Sequence, residues 1–91
     1  MSLDENFSKA ADDVNNRMNK KLTNDELLEI YSLFKQGTVG DINTSRPGVM
    51  DFKGRAKWDA WSSKKGTSKE AAKQKYIDYA RSLIEKYGTS S

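Results

Sequence analysis

Three times in this 91-residue chain a hydroxyl side chain is followed three positions later by glutamate, and then by apolar residues at three- and four-residue steps. Ser2-Leu3-Asp4-Glu5, Thr23-Asn24-Asp25-Glu26 and Thr67-Ser68-Lys69-Glu70 each fit a capping box. In that motif the hydroxyl accepts a hydrogen bond from the backbone three residues on, and the glutamate reaches back to the cap. A chain punctuated in this way is committed to helices.

The first helix is predicted from Leu3 to Met18, with Leu3, Phe7, Ala10, Ala11, Val14 and Met18 in one apolar stripe. The second covers Asn24 to Gln36, with Leu27, Leu28, Tyr31 and Phe34 on one face and Gly37 as its stop. The third spans Phe52 to Lys65 and carries Trp58 and Trp61 as core anchors; Lys64 and Lys65 fall where a helix C-terminus favours cations, and Gly66 follows. The fourth runs from Ser68 to Tyr87, keeps its period through Ala72, Tyr76, Tyr79, Ala80, Leu83, Ile84 and Tyr87, and is closed by Gly88. No run alternates apolar and polar residues as a half-buried strand would. The expected fold is therefore all-α, a four-helix bundle forming one domain over residues 1–91. Residues 38–51, with Pro47-Gly48, cannot be helical. That long connection lets helices two and three run in the same direction, and its Val39, Ile42, Val49 and Met50 predict that it packs down.

The absences narrow the chemistry. There is no Cys and no His, so thiolate catalysis, Cys-ligated zinc and imidazole acid–base work are excluded. No metal site, no cofactor and no enzymatic activity are expected. The net charge of +3 suits an anionic partner without identifying it. Met1-Ser2-Leu3-Asp4-Glu5 shows no secretion signal, and no apolar stretch approaches the ~20 residues that span a bilayer. A cytoplasmic monomer without stable membrane insertion is the expectation.

Tyr31 and Lys35 are four apart and share a helix face, as do Lys53 and Lys57 beside Arg55, while Tyr76 lies on the apolar side of the last helix. Combined, they would offer ammonium groups to phosphates, an aromatic face to a base, and apolar walls. Solvated lysines and core-edge tyrosines would produce the same spacing. Spacing alone supports a helical domain with a possible anion site and names no ligand. A basic helical module for nucleic acid or an acidic protein surface, with Lys53, Arg55, Lys57, Lys64 and Lys65 as its footprint, is the alternative.

The segments Tyr31-Ser32-Leu33-Phe34-Lys35-Gln36-Gly37-Thr38-Val39-Gly40-Asp41, Arg46-Pro47-Gly48, Asp51 to Trp61, Lys65 to Glu70 and Tyr76-Ile77 resemble the acyl-CoA-binding protein family. The resemblance runs from Phe7 to Tyr87. It implies an up-down-down-up bundle that binds medium- to long-chain acyl-CoA and acts as its intracellular carrier and pool former, with acyl-CoA-using enzymes as candidate partners and no nucleic acid. Carried over residue by residue, it implies that Tyr31 meets the adenine and that Lys35 and Lys57 hold the ribose 3′-phosphate. It implies further that Tyr76 touches the nucleotide or pantetheine, Lys53 makes another ligand contact, and Ala11 leaves room near the adenine. Leu27, Leu28 and Phe34 would line the acyl channel. One departure stands out: Asn15 and Asn16 follow Val14 where similar proteins often carry a basic residue, and Arg17 is the nearest candidate substitute.

Overall fold

The computed structural model describes residues 2–18 and 21–88, apart from the side chain of Arg17. It contains four α-helices, α1 (Leu3–Asp12), α2 (Asn24–Thr38), α3 (Phe52–Ser62) and α4 (Lys69–Tyr87), and no strand among the described residues.

Two of the three capping boxes form as read. Glu5 N donates to Ser2 Oγ at 3.1 Å, and Glu26 N donates to Thr23 Oγ1 at 3.2 Å, with both glutamates returning the bond. The third opens one residue late: Ser68, not Thr67, caps α4, its Oγ accepting from Ala71 N at 3.1 Å. Thr67 is otherwise engaged, its carbonyl accepting from Gln36 Nε2 at 2.7 Å.

Three boundaries also differ from expectation. Beyond Asp12 the first helix widens into a π turn over Asp13–Arg17. The second does not stop at Gly37, which is buried inside α2; a Cβ there would lie 3.1 Å from Lys73 Cγ and 3.6 Å from Phe7 Cζ, so its lack of a side chain lets α4 and α1 close in. The chain turns away at Gly40, whose φ of 97° suits glycine. The third helix ends at Ser62, because the amides of Lys64 and Lys65 bond three residues back, to Trp61 O and Ser62 O, and tighten the last turn. Lys64 then pairs with Glu29 at 2.9 Å instead of resting at a helix end.

Side-chain pairs give the helix directions. Lys73 with Asp4 and Tyr76 with Phe7 make α1 and α4 parallel. Glu26 at the start of α2 meets Lys86 and Tyr87 at the end of α4, so those two are antiparallel. Tyr31 with Lys57 and Lys35 with Trp61 make α2 and α3 parallel. The bundle is therefore up-down-down-up.

Phe7, Ala10, Ile30, Leu33, Tyr76, Ile77, Ala80 and Leu83, from α1, α2 and α4, form the buried core. Among the described residues α3 packs against no helix but α2. The molecule is consequently a thin slab of 41 × 28 × 16 Å.

The long connection is held to α3 by polar bonds. Trp61 Nε1 donates to Gly40 O and Trp58 Nε1 to Thr44 O, both at 2.8 Å, and Arg46 pairs with Asp59 through two bonds of 2.9 and 3.1 Å. The expected apolar packing is mostly not what anchors it: Ile42 is half-buried, but Val39, Val49 and Met50 are exposed.

Two further ties join the ends of α2 to α4. Glu26 accepts from Tyr87 Oη at 2.7 Å and from Lys86 Nζ at 3.1 Å. The Thr23 backbone amide, then the Tyr87 hydroxyl, hold its carboxyl at about 2. At the other end the fully buried Gln36 donates to Asp41 Oδ1 at 2.8 Å as well as to Thr67, while Gly66 N donates to the same Asp41 oxygen at 2.9 Å. The Gly66 amide, then Gln36, lower the Asp41 pKa.

Candidate functional site

Because α2 and α3 run parallel and in step, residues at four-residue spacing on one helix face residues at four-residue spacing on the other. Near the N-terminal ends, Asn24, Leu27, Leu28, Phe52, Lys53, Ala56 and Lys57 enclose an open groove of about 460 Å³. One turn on, Lys57 Nζ lies 5.4 Å from the centre of the Tyr31 ring. A further turn on, Lys35 Nζ lies 4.9 Å from the centre of the Trp61 ring. The surface therefore grades from apolar walls to two ammonium groups, each resting on an aromatic face. Each such cation–π contact is worth about 0.5–1 kcal/mol where solvent reaches it.

Leu27 also borders a second groove, of about 450 Å³, lined by Val14, Asn15, Met18, Lys21, Leu22, Leu27 and Ile30. Being half exposed, Leu27 forms a ridge between the two.

The structure brings together most of the residues singled out from the sequence. Leu27, Leu28, Lys53 and Lys57 line one groove, and Tyr31 and Lys35 continue it through their partners. Phe34 and Tyr76 belong to a neighbouring aromatic cluster. Phe34 stacks on Phe7 at 5.6 Å, and Tyr76 meets Phe7 edge-on at 5.0 Å. Tyr76 is 1% exposed, and burial pushes its hydroxyl up to about 12. Ala11 is half-buried and packs against the core. The side chain of Arg17, the candidate substitute for a basic contact, lies outside the described residues.

Sequence reasoning missed Asn24, Phe52 and Ala56 as walls and Trp61 as the seat of Lys35. Phe52 and Ala56 carried a signal, since they stand four apart and directly precede Lys53 and Lys57. Among the described residues no group of acidic side chains could hold a metal ion.

A parallel pair of helices thus flanks a largely apolar groove that carries Lys53 and Lys57 on its α3 side, with Lys57 and Lys35 each over an aromatic ring. The sequence pattern of the Acyl CoA binding protein family matches residues 4–80. An acyl-CoA-binding protein homolog of Drosophila melanogaster is 47% identical over 85 residues, which cover 93% of this chain and 98% of that one. The crystal structure of acyl-CoA-binding protein 2 from Oryza sativa superposes with a TM-score of 0.88 at 39% identity, covering 93% of each chain. That of the acyl-CoA-binding protein from Moniliophthora perniciosa gives 0.86 at 50% identity, over 94% of this chain and 83% of that one. The chain belongs to the acyl-CoA-binding protein family.

Proposed function

We propose that this protein binds medium- to long-chain acyl-CoA esters as a single-domain, monomeric cytoplasmic carrier that holds them as a pool, without a cofactor and without catalysing their reaction. The grading of the α2–α3 surface from apolar groove to ring-seated ammonium groups carries this reading, because the ligand has the same polarity gradient. Leu27, Leu28 and the newly found Phe52 and Ala56 would wall the acyl chain, with Phe34 at its border. Each methylene they bury is worth ~0.8 kcal/mol, so affinity rises with chain length while the groove lasts. Tyr31 would stack on the adenine, with Ala11 leaving it room. Lys35 and Lys57 would take the 3′-phosphate, and Lys53 a further polar contact. Tyr76, whose ring packs beside those of Phe7 and Phe34, would border the nucleotide or pantetheine end. Acyl-CoA-using enzymes are the partners such a carrier would serve.

The alternative footprint for nucleic acid or an acidic surface is weakened by two of its members. Arg55 bonds the carbonyls of Pro47 and Gly48, and Lys64 pairs with Glu29.

Calorimetric titration with palmitoyl-CoA, against CoA and palmitate separately, tests the reading. One-to-one binding of the ester, far tighter than of either half, is expected. No heat with any of the three at two temperatures would overturn it. Lys57→Ala is expected to weaken ester binding severely, and parent-like affinity in that variant would remove Lys57 from the phosphate site.

A further inference from the structure

We propose that Lys21, in the groove on the far side of the Leu27 ridge, is the contact for the 5′-diphosphate of a bound CoA ester, an assignment that rests on the carrier reading and adds a residue to its site. That second groove, of about 450 Å³, has buried or half-buried apolar walls in Val14, Met18, Leu22 and Ile30, and two exposed polar members, Asn15 and Lys21. Local structure builds it. The widened turn over Asp13–Arg17 carries Val14 and Asn15, and at Met18 the backbone becomes extended and leads on to Lys21 and Leu22. Widened turns of this kind are frequent at functional sites.

The length of the ligand brings it there. The acyl chain lies beside Leu28 and the 3′-phosphate is held at Lys35, seven residues on, an interval of about 10 Å along α2. The pantetheine and diphosphate between those two ends are longer than this when extended, so they arch away from the α2–α3 face. Leu27 is half exposed and borders both grooves, so an arch over it comes down beside Asn15 and Lys21. The diphosphate arrives with negative charge that Lys35 and Lys57, engaged with the 3′-phosphate, leave uncompensated. An ammonium group on a flexible stem suits it as a point-charge partner, and the Asn15 amide adds a donor without charge. Two lysines elsewhere on α1 and α4 are already committed: Lys9 is tied to Asp13 at 3.4 Å and Lys73 to Asp4 at 2.6 Å.

Titrations with three palmitoyl thioesters test the assignment: that of CoA, that of dephospho-CoA, which keeps the diphosphate and lacks the 3′-phosphate, and that of pantetheine, which lacks both. At low salt Lys21→Gln is expected to bind the first two about three-fold more weakly than the parent, by the same factor, and the pantetheine ester equally well. Lys21→Arg should restore most of the affinity, and added salt should shrink the difference between Lys21→Gln and the parent. Unchanged affinity for palmitoyl-CoA in Lys21→Gln overturns the proposal. So does a loss that disappears with the dephospho ester, which would place Lys21 on the 3′-phosphate, or an equal loss for the pantetheine ester, which would make Lys21 part of the fold or of the acyl wall. Arg17→Gln is the comparison: if it shows the expected pattern and Lys21→Gln does not, the diphosphate belongs to Arg17. A parent that fails to bind palmitoyl-CoA sinks the carrier reading and this assignment together, whereas a binding parent with no Lys21 effect sinks the assignment alone.

Discussion

Trp61 is 6% exposed and fixed by its bond to Gly40 O, so the Lys35 ammonium above its ring sits on a rigid seat. Without that seat Lys35 regains the rotamer freedom of an ordinary surface lysine, and any phosphate it holds must order it again. Trp61→Leu is therefore expected to weaken binding of CoA esters roughly two- to five-fold, the equivalent of about 0.5–1 kcal/mol. Dephospho-CoA esters, which lack the 3′-phosphate, should be affected less, and Trp61→Phe should restore most of the difference. Equal losses for both ligands in Trp61→Leu would make Trp61 a packing residue only. Lys35→Gln serves as the reference: if it too fails to discriminate the ligands, Lys35 is not the phosphate contact. The seat was hidden in the sequence because Lys35 and Trp61 sit on different helices. The four-residue steps within each helix were legible; the step between helices was not.

Elements follow the same rule: what is decided within a few residues could be read, and what is decided across the fold could not. The boxes at Ser2 and Thr23 are local and formed as read. At Thr67-Ser68 two adjacent hydroxyls compete, and the choice falls to Ser68 while the Thr67 carbonyl bonds Gln36 from another helix. Gly37 looked like a stop because its use, the close approach of Lys73 and Phe7, is tertiary. The Thr23 box has a tertiary extension as well, since Glu26 also receives Tyr87 and Lys86 from the end of α4. Its carboxyl is lowered from 4.5 to about 2, so the stability it contributes is complete above pH 4.5 and lost as pH falls towards about 2. Glu26→Gln keeps a side chain able to close the capping box but cannot titrate. Denaturant titrations across that pH window should show the parent losing more stability than Glu26→Gln, with the two curves converging at the acid end. Parallel curves would mean that the Glu26 charge contributes nothing, neither at the Thr23 cap nor in the clasp between α2 and α4.

At the scale of the whole molecule, the arrangement of helices separates stability from binding. The core joins α1, α2 and α4, whereas among the described residues α3 meets no helix but α2 and is otherwise fastened by the bonds of the 39–51 connection. Regions with few buried apolar contacts open at free energies below that of global unfolding. In the free protein, amides of Phe52–Ser62 should therefore exchange faster than those in the middle of α2 and α4. A ligand lying between α2 and α3 bridges the outlying helix to the core, and any ligand bound only by the closed form suppresses opening in proportion to its concentration over Kd. Saturating palmitoyl-CoA should accordingly slow exchange most in α3 and in the first turns of α2, and little in the face of α4 turned to α1. Uniform slowing throughout would mean that α3 opens only with the whole fold. Slowing confined to the groove beside Val14, Met18 and Leu22 would move the ligand to the other side of the Leu27 ridge.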